Sequence, residues 1–302
     1  MLISKKHESD SFEFNEVINK RKRRVLRYSP VIVIAILLLT ACTDVFFQPL
    51  KQHIASPDQY NIKYEDIYFE GRSEIKLHGW WFPSALESKA HILFLHGNAE
   101  NISTHSGLVY WLTQHQYDVF IFDYRGYGKS QGKAQIDGVM SDIQSSREYI
   151  ESRRDANKKV FIIGHSLGAS MGVYNLAQNP KNVDGIVLVS PFSDYRQIAR
   201  EAMGKSWLTW LFQWPGSLMV TDEYNPVDYV SLLPDVPKLF LYSDMDRVIA
   251  SEHVIKLYDN ASEEKYIQKV KGYHNSIFSE KENQAIIVNY LDQWTESGST
   301  GN

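Results

Sequence analysis

The sequence contains a single cysteine, Cys42, among 302 residues. One cysteine excludes an intramolecular disulfide, a cysteine-rich zinc site and an iron–sulfur cluster. Basic charge is not in excess. With 32 Lys and Arg against 36 Asp and Glu the net charge is −4, which argues against a nucleic-acid binder. No G-x-G-x-x-G or phosphate-loop motif occurs, so no organic cofactor is expected. No histidine pair has H-E-x-x-H spacing, so no metal is expected. No Gly/Ser-rich or Pro-rich linker and no internal repeat divides the chain. No apolar run reaches the roughly 20 residues that a bilayer-spanning helix needs. What is present is an ordinary globular composition, 43% hydrophobic and 23% charged, in a length suited to one large α/β domain or two small ones.

Charge is unevenly placed. Met1 to Arg27 carries eight basic residues, clustered from Lys20 to Arg27, against four acidic ones. An apolar run from Val31 to Leu39 follows, then Thr40-Ala41-Cys42, with no charge between Arg27 and Asp44. A basic segment, a short apolar stretch and small residues form the three-part pattern of a secretory signal. Leu39-Thr40-Ala41-Cys42 also resembles the lipobox of bacterial lipoproteins, in which the cysteine is acylated and becomes the first mature residue. That resemblance implies residues 1–41 as a signal segment, Cys42 as the lipid attachment point and a domain facing the periplasm or the outside. Thr43 leans toward the outer membrane by resemblance to lipoprotein sorting in Gram-negative bacteria. An uncleaved signal anchor, with Lys20 to Arg27 held in the cytoplasm, and a buried core segment are the alternatives. The leader is longer than usual for such a signal, which leaves open a translation start after Met1. Residues 42–61, with Pro49 and Pro57, read as a tether, 62–296 as the domain and 297–302 as a disordered tail.

Tyr64 to Glu70 and Ile75 to Phe82 read as two strands around a Gly71-Arg72-Ser73 turn, with Ile75, Leu77 and Trp81 on one face at period two. Later strands are short continuous apolar runs: 92–95, 119–122, 160–163, 186–189 and 239–242. Such runs suit strands buried on both faces of a parallel sheet. Helical patterns separate them, with Val139, Ile143, Ser146 and Ile150 on one face and Ile286, Tyr290, Leu291 and Trp294 on another. Two strands followed by β–α alternation predict a mostly parallel sheet with helices on both sides. In such sheets functional residues collect in the loops after the strands.

Gly164-His165-Ser166-Leu167-Gly168 fits G-x-S-x-G between an apolar strand and the helix-like Ala169 to Gln178. A nucleophile on a sharp strand-to-helix turn has strained backbone angles, and flanking glycines avoid steric clash. A serine hydroxyl needs a base to remove its proton. Asp246 lies 80 residues beyond Ser166 and His274 a further 28, each just after a predicted strand. In this reading His274 takes the proton of Ser166, and Asp246 orients the imidazole and stabilises its charged form. Asp244 and Asp194 are rivals for the acid. His96 is expected to brace loops rather than transfer protons, and His165, which precedes the nucleophile, to pack or hydrogen-bond locally. A negatively charged tetrahedral intermediate needs preorganised N–H donors, each worth about 3 kcal/mol in comparable sites. Leu167 supplies one and the loop His96 to Asn101, through Asn98, the other. Asp123 to Ser130 is read as structural support.

Together Leu95 to Ala99, Asp123 to Ser130, the Gly164 to Gly168 elbow, Asp246-Arg247-Val248 and Tyr273-His274-Asn275 resemble the α/β-hydrolase superfamily. The narrower resemblance is to its serine-aminopeptidase-like and depalmitoylase-like subgroup with an H-G-N-A loop. It covers roughly Asp66 to Trp294. At Tyr242-Ser243 the chain departs from the His-Gly common before the acid loop. The resemblance implies an α/β-hydrolase fold with a small helical cap at about 191–234. In the cap, Trp207, Trp210, Leu211 and Trp214 recur at i, i+3, i+4 and i+7. This apolar stripe is expected to pack the cap onto the domain; lining an acyl pocket and touching a lipid surface are the alternatives. The expected activity is hydrolysis of carboxylic esters or thioesters through a Ser-His-Asp triad, on a chain held to a membrane by its N-terminal lipid. A peptidase or amidase for small peptides and a non-catalytic lipoprotein binding module are the alternatives.

Overall fold

The computed structural model describes residues 47–155, 157–205 and 207–297. The expected signal segment 1–41, Cys42 and most of the expected tail lie outside the described residues. Eight strands form one sheet in the order β1-β2-β4-β3-β5-β6-β7-β8. They are β1 (Glu65–Glu70), β2 (Lys76–Phe82), β3 (Ala90–Leu95), β4 (Tyr117–Asp123), β5 (Lys159–His165), β6 (Gly185–Val189), β7 (Lys238–Tyr242) and β8 (Lys265–Lys269). β2 is antiparallel to β1 and β4, and the remaining pairings are parallel. Each continuous apolar run lies in a strand of the central sheet, and β3 and β4 are buried along their whole length.

The longer helices are α1 (Ile136–Ser152), α2 (Leu167–Gln178), α3 (Tyr195–Gly204), α4 (Ser251–Asn260) and α5 (Lys281–Glu296). One face of the sheet packs Leu93, Leu95, Phe120 and Phe122 against residues of α1, α2 and α4. The other packs Ile92, Phe94, Ile121 and Ile163 against α5 and the short turns near Trp111. Fully burying a side chain of this size stabilises by about 1.5–3 kcal/mol, so alternate residues of each central strand serve two separate cores. The stripe on α1 is as expected: Val139, Ile143, Ser146 and Ile150 are buried. On α5 it is turned by one position, with Asn283, Ile287, Val288, Leu291 and Trp294 buried and Ile286 and Tyr290 at its margin.

Two expectations change. Residues 47–61 are not a free tether from Phe47 onward. Phe47 is buried in the core and the following residues are hydrogen-bonded along the domain. Pro57 opens a 3-10 turn, Pro57–Tyr60, whose N-cap Ser56 forms a capping box with Gln59. The cap is helical, yet its tryptophan stripe does not pack inward. A 3-10 turn, Trp210–Phe212, runs into a short helix, Gln213–Ser217, and Trp207, Trp210, Leu211 and Trp214 are exposed. The short helix meets α3 through Gly216, where an added Cβ would come within 2.9 Å of the Met203 sulfur. The close contact is made by a residue without a side chain, which leaves the large residues outside. Among the described residues no helix is long and apolar enough to cross a membrane.

Candidate active site

Ser166 sits at the turn between β5 and α2 with φ 53° and ψ −120°, a conformation costing a non-glycine residue about 1–3 kcal/mol. Its neighbours explain why the turn tolerates it. A Cβ on Gly164 would come within 2.5 Å of the Ala169 Cα, and one on Gly168 within 2.2 Å of the Leu95 carbonyl oxygen. Only glycines let the first turn of α2 sit this close to the ends of β5 and β3. The Ser166 N–H donates to the Val189 carbonyl at 2.9 Å, pinning the turn to the end of β6.

His274 follows β8 and Asp246 follows β7. His274 Nδ1 lies 2.7 Å from Asp246 Oδ2, and the Asp246 side chain is almost wholly buried. Burial alone would raise the Asp246 carboxyl. The His274 hydrogen bond and the N–H groups of Val248 and Ile249 outweigh it and hold the group below its ordinary value. The rival acids face elsewhere. Asp244 pairs with Lys269 and accepts from Ser251, and Asp194 caps α3 by accepting from Gln197 N–H. The departure at Tyr242-Ser243 has a local role: Ser243 Oγ donates to the Gly272 carbonyl at 2.7 Å, tying the acid loop to the histidine loop.

His165 joins the elbow to the histidine loop. Its Nε2 lies 3.2 Å from the His274 carbonyl oxygen and the two rings are 4.8 Å apart. Burial, with His274 and His105 nearby, pushes His165 well below the ordinary histidine range. His96 is fully buried and stacks on Tyr124 and His105. Burial, reinforced by His105, lowers it to about 3, so it is a neutral brace.

The loop after β3 lies against the elbow: an added Cβ on Gly97 would be 3.5 Å from the Ser166 Cβ. Ala99 and Glu100 both adopt positive φ, 64° and 60°. Two adjacent non-glycine residues in that region need external support. Asn98 Oδ1 accepts from the N–H of Gln48 at 3.0 Å, from that of Ala99 at 2.7 Å and from the Tyr127 hydroxyl at 3.1 Å. Leu50 N–H donates to the Glu100 carbonyl, and Asn101 Nδ2 donates to the carbonyls of Leu50 and Gln52. The Asn98 side chain is thereby a brace, which leaves its main-chain N–H as the candidate oxyanion donor. Leu167 opens α2 directly after Ser166.

The Asp123 to Ser130 loop supports the same region. Buried Asp123 meets His53 Nε2 at 2.8 Å and His78 Nδ1 at 3.0 Å, and accepts from the N–H of Ile102 and Lys129. Tyr124 donates to the His96 carbonyl, and Arg125 makes a bidentate pair with Asp142. His53, His78 and Asp123 bring potential metal-ligand atoms within 4.8 Å of one another. Both His78 nitrogens already bond carboxylates, Asp123 and Asp66, so the cluster is a closed hydrogen-bond clamp. Sequence reading missed Gln48, Leu50 and His53 altogether. The signal for them was Phe47 and Leu50, apolar residues inside an apparent tether.

Trp207, Trp210 and Trp214, candidates for lining the substrate site, are exposed on the outer side of the cap. A cavity of about 360 Å³ beside His274 is lined instead by residues including Arg247, Val248 and Tyr273.

The protein family described as serine aminopeptidase, S33, matches residues 86–236, a span that holds the β3 loop and the elbow. The YfhR protein of Escherichia coli is 30% identical over 285 residues, covering 91% of this chain and 96% of that one. The chain belongs to the serine aminopeptidase, S33, family of α/β-hydrolases. The hydrolase is also 26% identical to the alpha/beta hydrolase domain-containing protein WAV2 of Arabidopsis thaliana, over 78% of this chain and 80% of that one. Among solved structures it superposes on the Pyrococcus furiosus esterase Pf2001 with a TM-score of 0.68 at 20% identity, covering 83% of this chain and 98% of that one. At that identity the likeness concerns the fold.

Proposed function

We propose that this hydrolase cleaves carboxylic esters or thioesters through an acyl-enzyme on Ser166. The observation that carries the reading is the 2.7 Å contact between His274 and buried Asp246, with Ser166 held in elbow geometry and its neighbour His165 reaching the His274 carbonyl. His274 Nε2 takes the Ser166 hydroxyl proton as Oγ bonds to the substrate carbonyl carbon. The N–H groups of Asn98 and Leu167 receive the oxyanion. The intermediate collapses, the C–O or C–S bond breaks, and His274 gives the proton to the leaving alcohol or thiol. Water then attacks the acyl-enzyme, losing a proton to His274, and releases the carboxylic acid with Ser166 restored.

The proposal includes attachment to a membrane through acylated Cys42, supported by the basic segment, the apolar run and the Leu39 to Cys42 pattern. Several acyl chains would anchor stably where one would not.

A fluorophosphonate probe is expected to label the intact protein, and Ser166→Ala to lose both the label and turnover of short p-nitrophenyl esters while keeping its circular dichroism. Undiminished turnover in Ser166→Ala overturns the mechanism. The family description favours one second reading, a peptidase, and faster release from aminoacyl anilides than from acyl esters would select it. Mass spectrometry of the mature N-terminus tests the anchor separately: an unmodified chain starting before Cys42 removes it.

A further inference from the structure

The short cap helix Gln213–Ser217 and the turn before it have inverted polarity. Ser217 is buried and Gln213 and Gly216 are half-buried toward the domain, while Trp207, Leu208, Trp210, Leu211, Phe212 and Trp214 are exposed, Trp207 by 85%. A surface helix ordinarily buries its apolar stripe. Neighbouring exposed large apolar residues mark an interaction surface. From Ala202 to Thr221 the only charged residue is Lys205, and the Arg200 guanidinium stacks over Trp214. No acidic residue occurs from Ala202 to Thr221, Glu201 just before it is bonded to His253, and tryptophan beside basic residues is the composition of a surface that settles at the headgroup level of a bilayer.

The position of this surface agrees with that occupant. The cap follows β6, and Lys205 Nζ donates to the carbonyls of Arg247 and Val248 in the loop after β7. Phe47 and Gln48, the first described residues, lie against the loop after β3. β3, β6 and β7 run parallel, so Phe47, Gln48 and the cap all lie at the carboxyl edge of the sheet. Cys42 precedes Phe47 by five residues, no more than about 18 Å of extended chain.

We propose that the outer surface of the cap docks on a lipid bilayer, so that this hydrolase works with the carboxyl edge of its sheet turned toward the membrane. The choice of a bilayer over another partner rests in part on the membrane attachment proposed for residues 31–42 and not on the catalytic assignment.

The test uses the full-length protein with vesicles of phosphatidylcholine and phosphatidylglycerol carrying brominated acyl chains. The other four tryptophans, Trp80, Trp81, Trp111 and Trp294, are buried, so bromine quenching reads the cap. Quenching is expected in the wild type and is expected to disappear when Trp207, Trp210 and Trp214 are all replaced by Phe, which keeps the surface apolar. In a Cys42→Ser background, replacing the same three by Ser is expected to lower vesicle partitioning by about tenfold or more. Vesicle-bound wild type with unquenched emission overturns the proposal and leaves the anchor standing. Unquenched emission in a species that sediments as a dimer, made monomeric by the Ser replacements, assigns the surface to a second copy and also overturns it. Partitioning and quenching that persist with Cys42→Ser uphold it even where the lipid anchor fails.

Discussion

The main-chain N–H of Gln48 donates to Asn98 Oδ1 at 3.0 Å, joining the segment before β1 to the candidate oxyanion loop. The loop's strained residues, Ala99 and Glu100, directly follow this contact. The segment before β1 thus supports geometry on which the proposed chemistry would depend, although none of its residues takes a role in that mechanism.

Asn98→Ala removes the acceptor shared by Gln48, Ala99 and Tyr127 while keeping the main-chain N–H. The loop then loses its brace, and the oxyanion donor its aim. We expect kcat to fall by about 10² to 10³, the scale of losing one donor, with KM for a short p-nitrophenyl ester little changed. A KM effect with kcat intact would place Asn98 in substrate binding instead.

Asp246→Asn keeps the shape of the side chain and an acceptor for the Val248 and Ile249 N–H groups. It removes the charge that fixes the His274 tautomer. The expected loss in kcat is about 10⁴, by analogy with other triads, with fluorophosphonate labelling slowed in parallel. A loss under tenfold, or an equal loss in Asp244→Asn, would give the orienting role to another group.

Acid is expected to act in two stages. His96, His105 and His165 have lowered values because they are buried, so between about pH 6.5 and their folded values the unfolded chain binds more protons than the native one. Stability therefore rises with pH across that window and is lost as pH falls below about 6.5. His96, lowered to about 3, forfeits on the order of 2 kcal/mol by about pH 5, and His105 and His165 act in the same direction. Asp123 comes later. Burial would raise it, but His53 and His78 hold it well below the carboxylate range. Its contribution is present above about pH 4 and lost below that as the unfolded form takes up protons first. Melting temperature followed by calorimetry from pH 8 to 3 checks this; a flat profile between pH 7 and 5 would show that the three histidines titrate normally.

The strands were legible because each is an apolar run buried on both faces, a pattern with little ambiguity once β–α alternation is recognised. The elbow was legible because its glycines answer a local steric demand. The direction of the cap was not. Period 3.6 at Trp207, Trp210, Leu211 and Trp214 implies a shared face, and nothing in the spacing says whether that face points inward. The segment before β1 was hidden for a different reason. Its bonds run from exposed main chain to side chains 49–51 positions away, such as Asn98, Asn101 and Ser103, and so leave no local periodicity. His53 and His78 likewise meet at Asp123 only through topology.

The approach of α2 to β3 sets the last prediction. Gly168 lies so close to the end of β3 that a Cβ would sit 2.2 Å from the Leu95 carbonyl oxygen and 2.4 Å from that of His96. Both are main-chain atoms, so no side-chain rotation relieves the clash. Accommodating Gly168→Ala requires α2 to move off the sheet, which carries Ser166 and the Leu167 N–H away from the β3 loop. Overpacking of this kind costs about 1–3 kcal/mol and sometimes more. We expect a melting temperature lower by several degrees and kcat reduced by more than tenfold even well below the melting range. Gly107→Ala is the control, since an added Cβ there meets nothing within 4 Å, and it is expected to change neither. A Gly168→Ala protein with native stability and full turnover would show that the elbow tolerates a side chain at this position and that the close approach is not what aims the serine.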